Sequence, residues 1–261
     1  FRHLWRLTKG YPMFSYQLYS SRNYGPMDKT FSMVAKAGYE GVEGYGALYA
    51  DDAAVAATKA GLAATGLTMP TGHFGLAQLE TDVDKVLGIA KALKMERLYC
   101  PYVMPDDRPT DAAGWKAFGA RLQKAGAPYK AAGYGFGWHN HDFEFKALSD
   151  GSMPQDRIFE GGPGLEWEMD VAWVIRGGAD PLAWIETYKD RITAAHVKDI
   201  APAGENKDED GWSDVGHGTV DWKTIIAALR KIGVRHFVME HDNPKDDARF
   251  ATRSIASAKA F

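Results

Sequence analysis

The stretch that decides the fold is Gly-Phe-Gly-Trp-His-Asn-His-Asp-Phe-Glu-Phe, residues 135–145. Its first four residues are apolar or glycine, which is typical of a buried strand, and the helical pattern before it ends near Gly133. The polar residues therefore fall at the C-terminal end of the strand. Because side chains alternate along a strand, we expect His139 and His141 to share one face. A strand end with satisfied hydrogen bonds would also explain them, but three later stretches repeat the design, which favours a functional site.

Outward from this stretch, the chain alternates eight times between a strand-like run and a helical run. The other strands are predicted over residues 13–19, 41–45, 67–73, 97–101, 165–173, 192–199 and 236–241. Such alternation is typical of parallel strands joined by helices, and eight units predict an α/β fold, a closed (β/α)8 TIM barrel, in one domain spanning 1–261. A doubly wound open sheet is the alternative, but no Gly-x-Gly-x-x-Gly follows the first strand. Residues 201–217 are predicted to form a loop long enough to act as a functional flap.

Charge and composition argue against several classes of partner. The net charge is −3 and no basic cluster is present, so nucleic acid is not expected as a partner. The single cysteine, Cys100, excludes an intramolecular disulfide. No run reaches the ~18 apolar residues of a membrane span, so no membrane association is expected. No signal peptide is visible, but the chain begins at Phe1, which is compatible with a removed N-terminal segment, so cytoplasmic and periplasmic locations stay open.

Residues that can bind metals or move protons stand at the predicted C-terminal strand ends, where barrel enzymes carry their active sites. These residues are Glu43, His73, His139, His141, Glu144, Asp170, His196, Lys198, Glu240 and His241. Carboxylates combined with a neutral imidazole suit one divalent ion such as Mn²⁺, Mg²⁺, Co²⁺ or Zn²⁺. We predict that this ion is bound by one group from the fifth strand together with Asp170, His196 and Glu240.

Each predicted ligand also has an ordinary structural explanation. Asp170 could pair with a loop amide, and His196 could be a hydrogen-bonded core histidine. Glu240 is harder to explain, because a carboxylate that ends a buried apolar strand needs a cation or strong donors. The joint pattern favours a metal site, since three successive strands each end in a ligand-type residue.

Four residues are expected to contact a substrate at the mouth: Glu43, His73, Trp173 and His217. His217 could instead cap a turn, and Trp173 could belong to the core. Trp212 is a further aromatic that could stack on a sugar. Lys198 is either an active-site cation or a solvated surface lysine.

Four motifs together resemble the xylose isomerase-like, sugar phosphate isomerase/epimerase superfamily: EMDVAWVIRGGADP from Glu168, AHVKDI from Ala195, VGHGTVDW from Val215 and VMEHD from Val238. The segment WHNHDFEF, from Trp138, resembles one subgroup of it. The resemblance implies a (β/α)8 barrel with one divalent metal bound by a Glu, an Asp, a His and a second Glu. Asp170, His196 and Glu240 match the last three by position. The usual first Glu is replaced by His139, so we expect Glu144 to be the first ligand, with His139 as the alternative.

The resemblance also implies a chemistry, in which a metal polarises a carbonyl while a side chain removes the neighbouring C–H proton. His139, His141, Glu144 and Glu240 are the candidates for proton transfer, and Lys198 would add positive charge near the oxygen. The expected partner is a small-molecule sugar or keto-sugar, and the reaction is an isomerisation, an epimerisation or an elimination. A homo-oligomer is compatible with the resemblance. The alternatives are a phosphodiesterase of the AP-endonuclease type and a non-catalytic sugar-binding barrel.

Overall fold

The computed structural model describes residues 12–261, in which eight parallel strands close into a barrel. The closed strand order confirms the predicted (β/α)8 fold. In chain order the strands are β1 (Met13–Gln17), β2 (Gly41–Gly44), β3 (Thr68–His73), β4 (Arg97–Cys100), β5 (Gly135–His139), β6 (Glu166–Asp170), β7 (Ile192–Val197), β8 (Asp199–Ile200), β9 (Trp212–Ser213) and β10 (His236–Met239). The short strands β8 and β9 pair antiparallel outside the barrel.

Helices connect the strands and pack around them. Within residues 12–261 they are Met27–Ala37, Asp52–Thr65, Leu76–Thr81, Val83–Leu93, Ala112–Ala131, Pro154–Gly161, Val171–Arg176, Pro181–Thr187, Trp222–Lys231 and Asp247–Ala258. Several begin at an aspartate whose carboxylate accepts a hydrogen bond from the first turn, as Asp51 and Asp111 do. In the described part of the chain, no helix combines the length and apolar character that crossing a bilayer requires.

Two local predictions differ from the structure. The strand predicted over 165–173 ends at Asp170, because the Asp170 carboxylate accepts a hydrogen bond from Trp173 N and starts a helix there. The loop predicted over 201–217 contains β9 and is folded back on β8 as a hairpin, which buries Trp212. Residues 212–215 are therefore a packed part of the barrel rim, whereas residues 202–205 are exposed.

The register of the barrel strands brings the polar strand ends together. His139 on β5 is opposite Glu168 on β6, and Asp170 on β6 is opposite His196 on β7. The β5–β6 contact depends on Gly137, because a Cβ atom there would lie 2.1 Å from the Glu166 carbonyl oxygen. Carboxylates and imidazoles from neighbouring strands therefore meet inside the C-terminal end of the barrel.

Candidate active site

Two overlapping groups of buried histidines and carboxylates occupy the C-terminal end of the barrel. The upper group consists of His139, Asp170, His196 and Glu240. The lower group consists of His73, His139, Glu168 and His196, and it lies deeper because Glu168 precedes Asp170 by two residues on β6. In each group the potential ligand atoms lie within 4.8 Å of one another.

The upper group is open at its centre. Asp170 Oδ2 lies 4.0 Å from His139 Nε2 and 4.0 Å from His196 Nδ1, and His196 Nδ1 lies 2.9 Å from Glu240 Oε2. Asp170 Oδ1 caps the helix that follows, whereas the buried Oδ2 has no hydrogen-bond partner. One carboxylate oxygen is thus used structurally, and the other faces the imidazoles and lies 3.2 Å from Lys198 Nζ.

The lower group is closed by direct contacts. Glu168 Oε2 lies 2.5 Å from His73 Nε2 and 3.2 Å from His139 Nδ1. His196 Nε2 lies 2.7 Å from Glu43 Oε1, an oxygen that also accepts a hydrogen bond from Gln17 Nε2 at 2.7 Å. Glu43 therefore lies beneath the site as a buried acceptor.

The two deep glutamates differ in protonation. Burial and the neighbouring Glu168 raise the pKa of Glu43 to about 7. Burial also raises the pKa of Glu168, but the nearby His196 and His73 outweigh burial and hold that pKa well below 4.5. Glu168 is therefore the ionised carboxylate at the centre of the lower group.

Lys198 is buried rather than solvated, with 1% of its surface exposed. Its Nζ lies 2.9 Å from Asp242 Oδ1, 3.0 Å from Glu240 Oε2 and 3.2 Å from Asp170 Oδ2. Burial lowers its pKa, but these three carboxylates outweigh burial and raise it above the ordinary value. Lys198 therefore contributes a fixed positive charge at the edge of the upper group.

Glu144 belongs to neither group. The chain turns after His139, and the short 3-10 helix Phe143–Phe145 directs this carboxylate back toward β5. Trp138 Nε1 donates to one Glu144 oxygen and His141 N donates to the other, each at 2.9 Å. The alternative first ligand, His139, is the one found beside Asp170, His196 and Glu240.

His141 lies at the mouth above His139, with ring centroids 5.3 Å apart. Its ring also packs against Tyr102 at 4.8 Å and Trp173 at 5.5 Å, and its buried Nδ1 has no hydrogen-bond partner. Burial, with the repulsion of His139 and Lys198, lowers the His141 pKa well below 6.5. The ring is therefore neutral near pH 7.

A cavity of about 390 Å³ opens above the two groups, which is within the ~300–1,000 Å³ range of small-molecule sites. Its lining contains His73, His139, His141, Glu240 and Asp242, together with a rim of tyrosines. The rim tyrosines are Tyr19, Tyr45 and Tyr102. No lysine or arginine belongs to the lining among the described residues.

Three other residues considered in the sequence lie away from this cavity. His217 is exposed, and its backbone N–H donates a hydrogen bond to the Asp214 carbonyl. This turn agrees with the alternative that His217 belongs to a turn and does not contact a substrate. Trp173 contributes indirectly, because it packs on His141 and on Trp212. Trp212 is 1% exposed and covered by Arg176, so it has no free face for a sugar.

The sequence reasoning missed Glu168, Asp242 and the tyrosine rim. Glu168 had a visible signal, since strand alternation places it on the same face as Asp170. Asp242 follows Glu240 by two residues and becomes a partner of Lys198. The tyrosines come from separate loops, so only the folded structure brings them together.

The sequence of this chain matches a known protein family, and its fold matches solved structures. A sequence model of the family described as xylose isomerase-like TIM barrel matches residues 31–258. No curated protein matches the sequence significantly.

Solved structures with the same fold include a sugar phosphate isomerase/epimerase from Parabacteroides distasonis, with 21% identity, coverage of 95% of this chain and 94% of that chain, and a TM-score of 0.80. They also include the 3-keto-D-glucoside 4-epimerase YcjR from E. coli, with 16% identity, coverage of 96% and 100%, and a TM-score of 0.70. An AP endonuclease, family 2, from Brucella melitensis has 16% identity, coverage of 96% and 99%, and a TM-score of 0.69. At these identities the likeness shows the fold alone.

Proposed function

Because the chain belongs to the xylose isomerase-like TIM barrel family, we propose that it is a metal-dependent enzyme that removes a proton beside the carbonyl of a sugar or keto-sugar. The observation that carries this proposal is the upper group, in which two imidazoles and two carboxylates converge under an open cavity. The net reaction would be an isomerisation, an epimerisation or an elimination, because all three begin with this step.

The residues present fit one divalent ion. Asp170 Oδ2 is buried and makes no hydrogen bond, and the cation beside it, Lys198 Nζ at 3.2 Å, is shared with Glu240 and Asp242, so a divalent ion would supply positive charge that this cluster of carboxylates lacks. Ligand atoms around one ion with bonds of ~2.1 Å are separated by roughly 3.0–4.2 Å. The two separations that involve Asp170 Oδ2 are 4.0 Å and lie in this range, whereas His196 Nδ1 and Glu240 Oε2, at 2.9 Å, share a hydrogen bond that a bound ion would replace. Mixed imidazole and carboxylate donors suit Mn²⁺, Co²⁺ or Zn²⁺. We assign His139 as the first ligand in place of Glu144, whose two oxygens already accept hydrogen bonds.

Such an ion, when bound, supplies a positive charge that polarises a carbonyl and makes the neighbouring C–H more acidic. His141 is the proposed base, because its unpartnered Nδ1 is in a neutral ring that lines the cavity. The Nδ1 lone pair takes the proton, the C–H electron pair forms a carbon–carbon double bond, and the carbonyl π pair moves to oxygen. Delivery of a proton to the opposite face of the same carbon gives an epimer. Delivery to the former carbonyl carbon, with the hydroxyl proton of the first carbon moving to the enediolate oxygen, gives an isomer, and departure of a β-substituent with its electron pair gives elimination.

The lining favours an uncharged sugar. A phosphate would meet Glu240 and Asp242 with no lysine or arginine in the described lining to pair with it, and the buried Lys198 already contacts three carboxylates. Aromatic linings with a few convergent polar groups are typical of small-molecule sites. The E. coli neighbour named 3-keto-D-glucoside 4-epimerase, which shares only the fold, is in line with a keto-sugar substrate.

The test is hydrogen exchange in D₂O, followed by NMR, with Mn²⁺ and either a neutral 3-keto-glucoside or a ketose phosphate. We expect metal-dependent loss of the proton beside the carbonyl of the neutral substrate, and a fall of about 10²–10⁴-fold for His141→Gln with its metal content unchanged. Preference for the ketose phosphate would refute the substrate class, and full activity of His141→Gln would refute the base. Absence of exchange with metal bound would favour a non-catalytic barrel, and cleavage of abasic DNA would favour the phosphodiesterase alternative.

A further inference from the structure

The overlap of the two buried groups means that His139 and His196 each present one ring nitrogen to the upper group and the other to the lower group. His139 Nε2 faces Asp170, whereas its Nδ1 faces Glu168 at 3.2 Å. His196 Nδ1 faces Glu240, whereas its Nε2 faces Glu43 at 2.7 Å and Glu168 at 3.4 Å. An ion in the upper group would therefore be bound by His139 Nε2 and His196 Nδ1, whereas an ion in the lower group would be bound by His139 Nδ1 and His196 Nε2.

The lower group leaves no room for an ion. Within the group, His73 Nε2 lies 2.5 Å from Glu168 Oε2, and His196 Nε2 is engaged by Glu43 Oε1, outside the group, at 2.7 Å. Ligand atoms around one ion with bonds of ~2.1 Å are at least about 3.0 Å apart. These short contacts are hydrogen bonds with a proton between the two heavy atoms. In the lower group, the Glu168 carboxylate therefore accepts hydrogen bonds from imidazole N–H groups.

We propose that Glu168 is a positioning residue that keeps the proton of His139 on Nδ1, so that this ring binds the ion through Nε2, and that Glu168 assists Glu43 in keeping the proton of His196 on Nε2, so that His196 binds through Nδ1. This inference rests on the proposed metal-dependent function. One Glu168 oxygen, Oε2, contacts imidazole nitrogens of His73, His139 and His196, and no surface of this residue is exposed. An acceptor on the far nitrogen keeps the proton there and leaves the near nitrogen free for the ion.

The role of Glu168 can be separated from that of a partly exposed acid on the same strand. Glu166 lies two residues earlier and therefore on the same face of β6. Its carboxylate accepts hydrogen bonds from Arg97 Nε and Thr193 Oγ1, and no imidazole contacts it among the described residues. Glu166→Gln is thus a matched control, with the same chemical change on the same strand but away from the histidines.

The first measurement is the affinity for Zn²⁺, by competition with a chromophoric chelator, for the wild type, Glu168→Gln and Glu166→Gln. We expect Glu168→Gln to weaken binding by about 10–100-fold, as loss of such a supporting contact does in other metal sites, and Glu166→Gln to leave it unchanged. A wild type that binds no metal would overturn the proposed function itself. A wild type that binds, with Glu168→Gln binding equally well, would overturn only the positioning role.

The second measurement uses the wild type, so it does not depend on a variant that folds. Long-range ¹H–¹⁵N spectra of the Zn²⁺-loaded, ¹⁵N-histidine-labelled protein report which nitrogen of each ring carries the proton. We expect a proton on Nδ1 of His139 and on Nε2 of His196. A proton on the opposite nitrogen of either ring would contradict the assignment, because the ion would then be bound from the lower side.

Discussion

Replacing Lys198 by Met tests whether the upper group is built for a divalent ion. Lys198 Nζ contacts Asp170, Glu240 and Asp242 at 2.9–3.2 Å, and 1% of the residue is exposed. Met has a similar length and no charge. The variant therefore leaves three carboxylates close together without the cation that joins them.

The expected loss without metal is large. Removing one partner of a buried ion pair costs about 3–5 kcal/mol, because the remaining charge stays buried and uncompensated. For a chain of this size, ~1 kcal/mol corresponds to ~2–4 °C in Tm, so Tm should fall by about 6–20 °C in EDTA. Lys116→Met is the matched control, because Lys116 forms an exposed ion pair with Glu160, and such pairs contribute about 0–1 kcal/mol.

A divalent ion should rescue the variant. A ligand at ~100 times its Kd stabilises a protein by about 2.7 kcal/mol, and the ion should bind Lys198→Met more tightly than wild type because one competing positive charge is gone. Thermal unfolding followed by circular dichroism, in EDTA and with Mn²⁺, measures both effects. The reasoning fails if Lys198→Met loses no more Tm than Lys116→Met in EDTA, or if Mn²⁺ raises its Tm by no more than it raises the wild-type Tm.

Three further predictions concern the mouth, the strand contact and the pH response. Tyr19→Ala should raise KM for a sugar substrate with little change in kcat, because the Tyr19 ring lines the rim of the cavity and packs on Tyr45. The exposed Tyr24→Ala should leave KM unchanged, and equal KM values for both variants would contradict a role of the rim in sugar binding. Gly137→Ala should lower the free energy of unfolding, measured in urea, by about 1–3 kcal/mol, because the new Cβ would lie 2.1 Å from the Glu166 carbonyl oxygen. Gly88→Ala, in an open helical position, should raise the free energy of unfolding by about 0.5–1 kcal/mol. An unchanged free energy of unfolding for Gly137→Ala would refute the close strand contact. Burial lowers the pKa of His241 to about 4, whereas a histidine in the unfolded chain has a pKa of about 6.5. Between these two values the unfolded chain binds one more proton than the folded chain, so stability is lost as the pH falls from about 6.5 to about 4. His241→Gln should therefore show a smaller loss than wild type in urea unfolding at pH 7, 5.5 and 4, and an identical pH dependence would argue against a buried neutral ring.

Strand alternation and strand-end chemistry predicted much of the fold and the site. The eight strand–helix units became a closed barrel, and parallel register then brought His139, Asp170, His196 and Glu240 to one point. The roles of these residues stay predictions, but their meeting follows from their positions at the ends of adjacent parallel strands. Local sequence and topology therefore sufficed for the framework of the site.

What could not be predicted depends on how the chain turns after each strand. Glu144 had the right chemistry, but the turn after His139 directs its carboxylate to Trp138 Nε1 and the His141 backbone N–H. Lys198 could be read as a surface lysine until the β8–β9 hairpin is seen to bury Trp212 beside it. Such outcomes are set by contacts between distant segments, which one sequence does not reveal.

The number of divalent ions per chain, measured by elemental analysis after loading and gel filtration, tests the central claim most directly. The proteins to compare are the wild type, His139→Ala and Glu144→Gln. The account predicts about one ion in the wild type, retention of that ion in Glu144→Gln and its loss in His139→Ala. Retention in His139→Ala with loss in Glu144→Gln, or two or more ions in the wild type, would contradict the site described here.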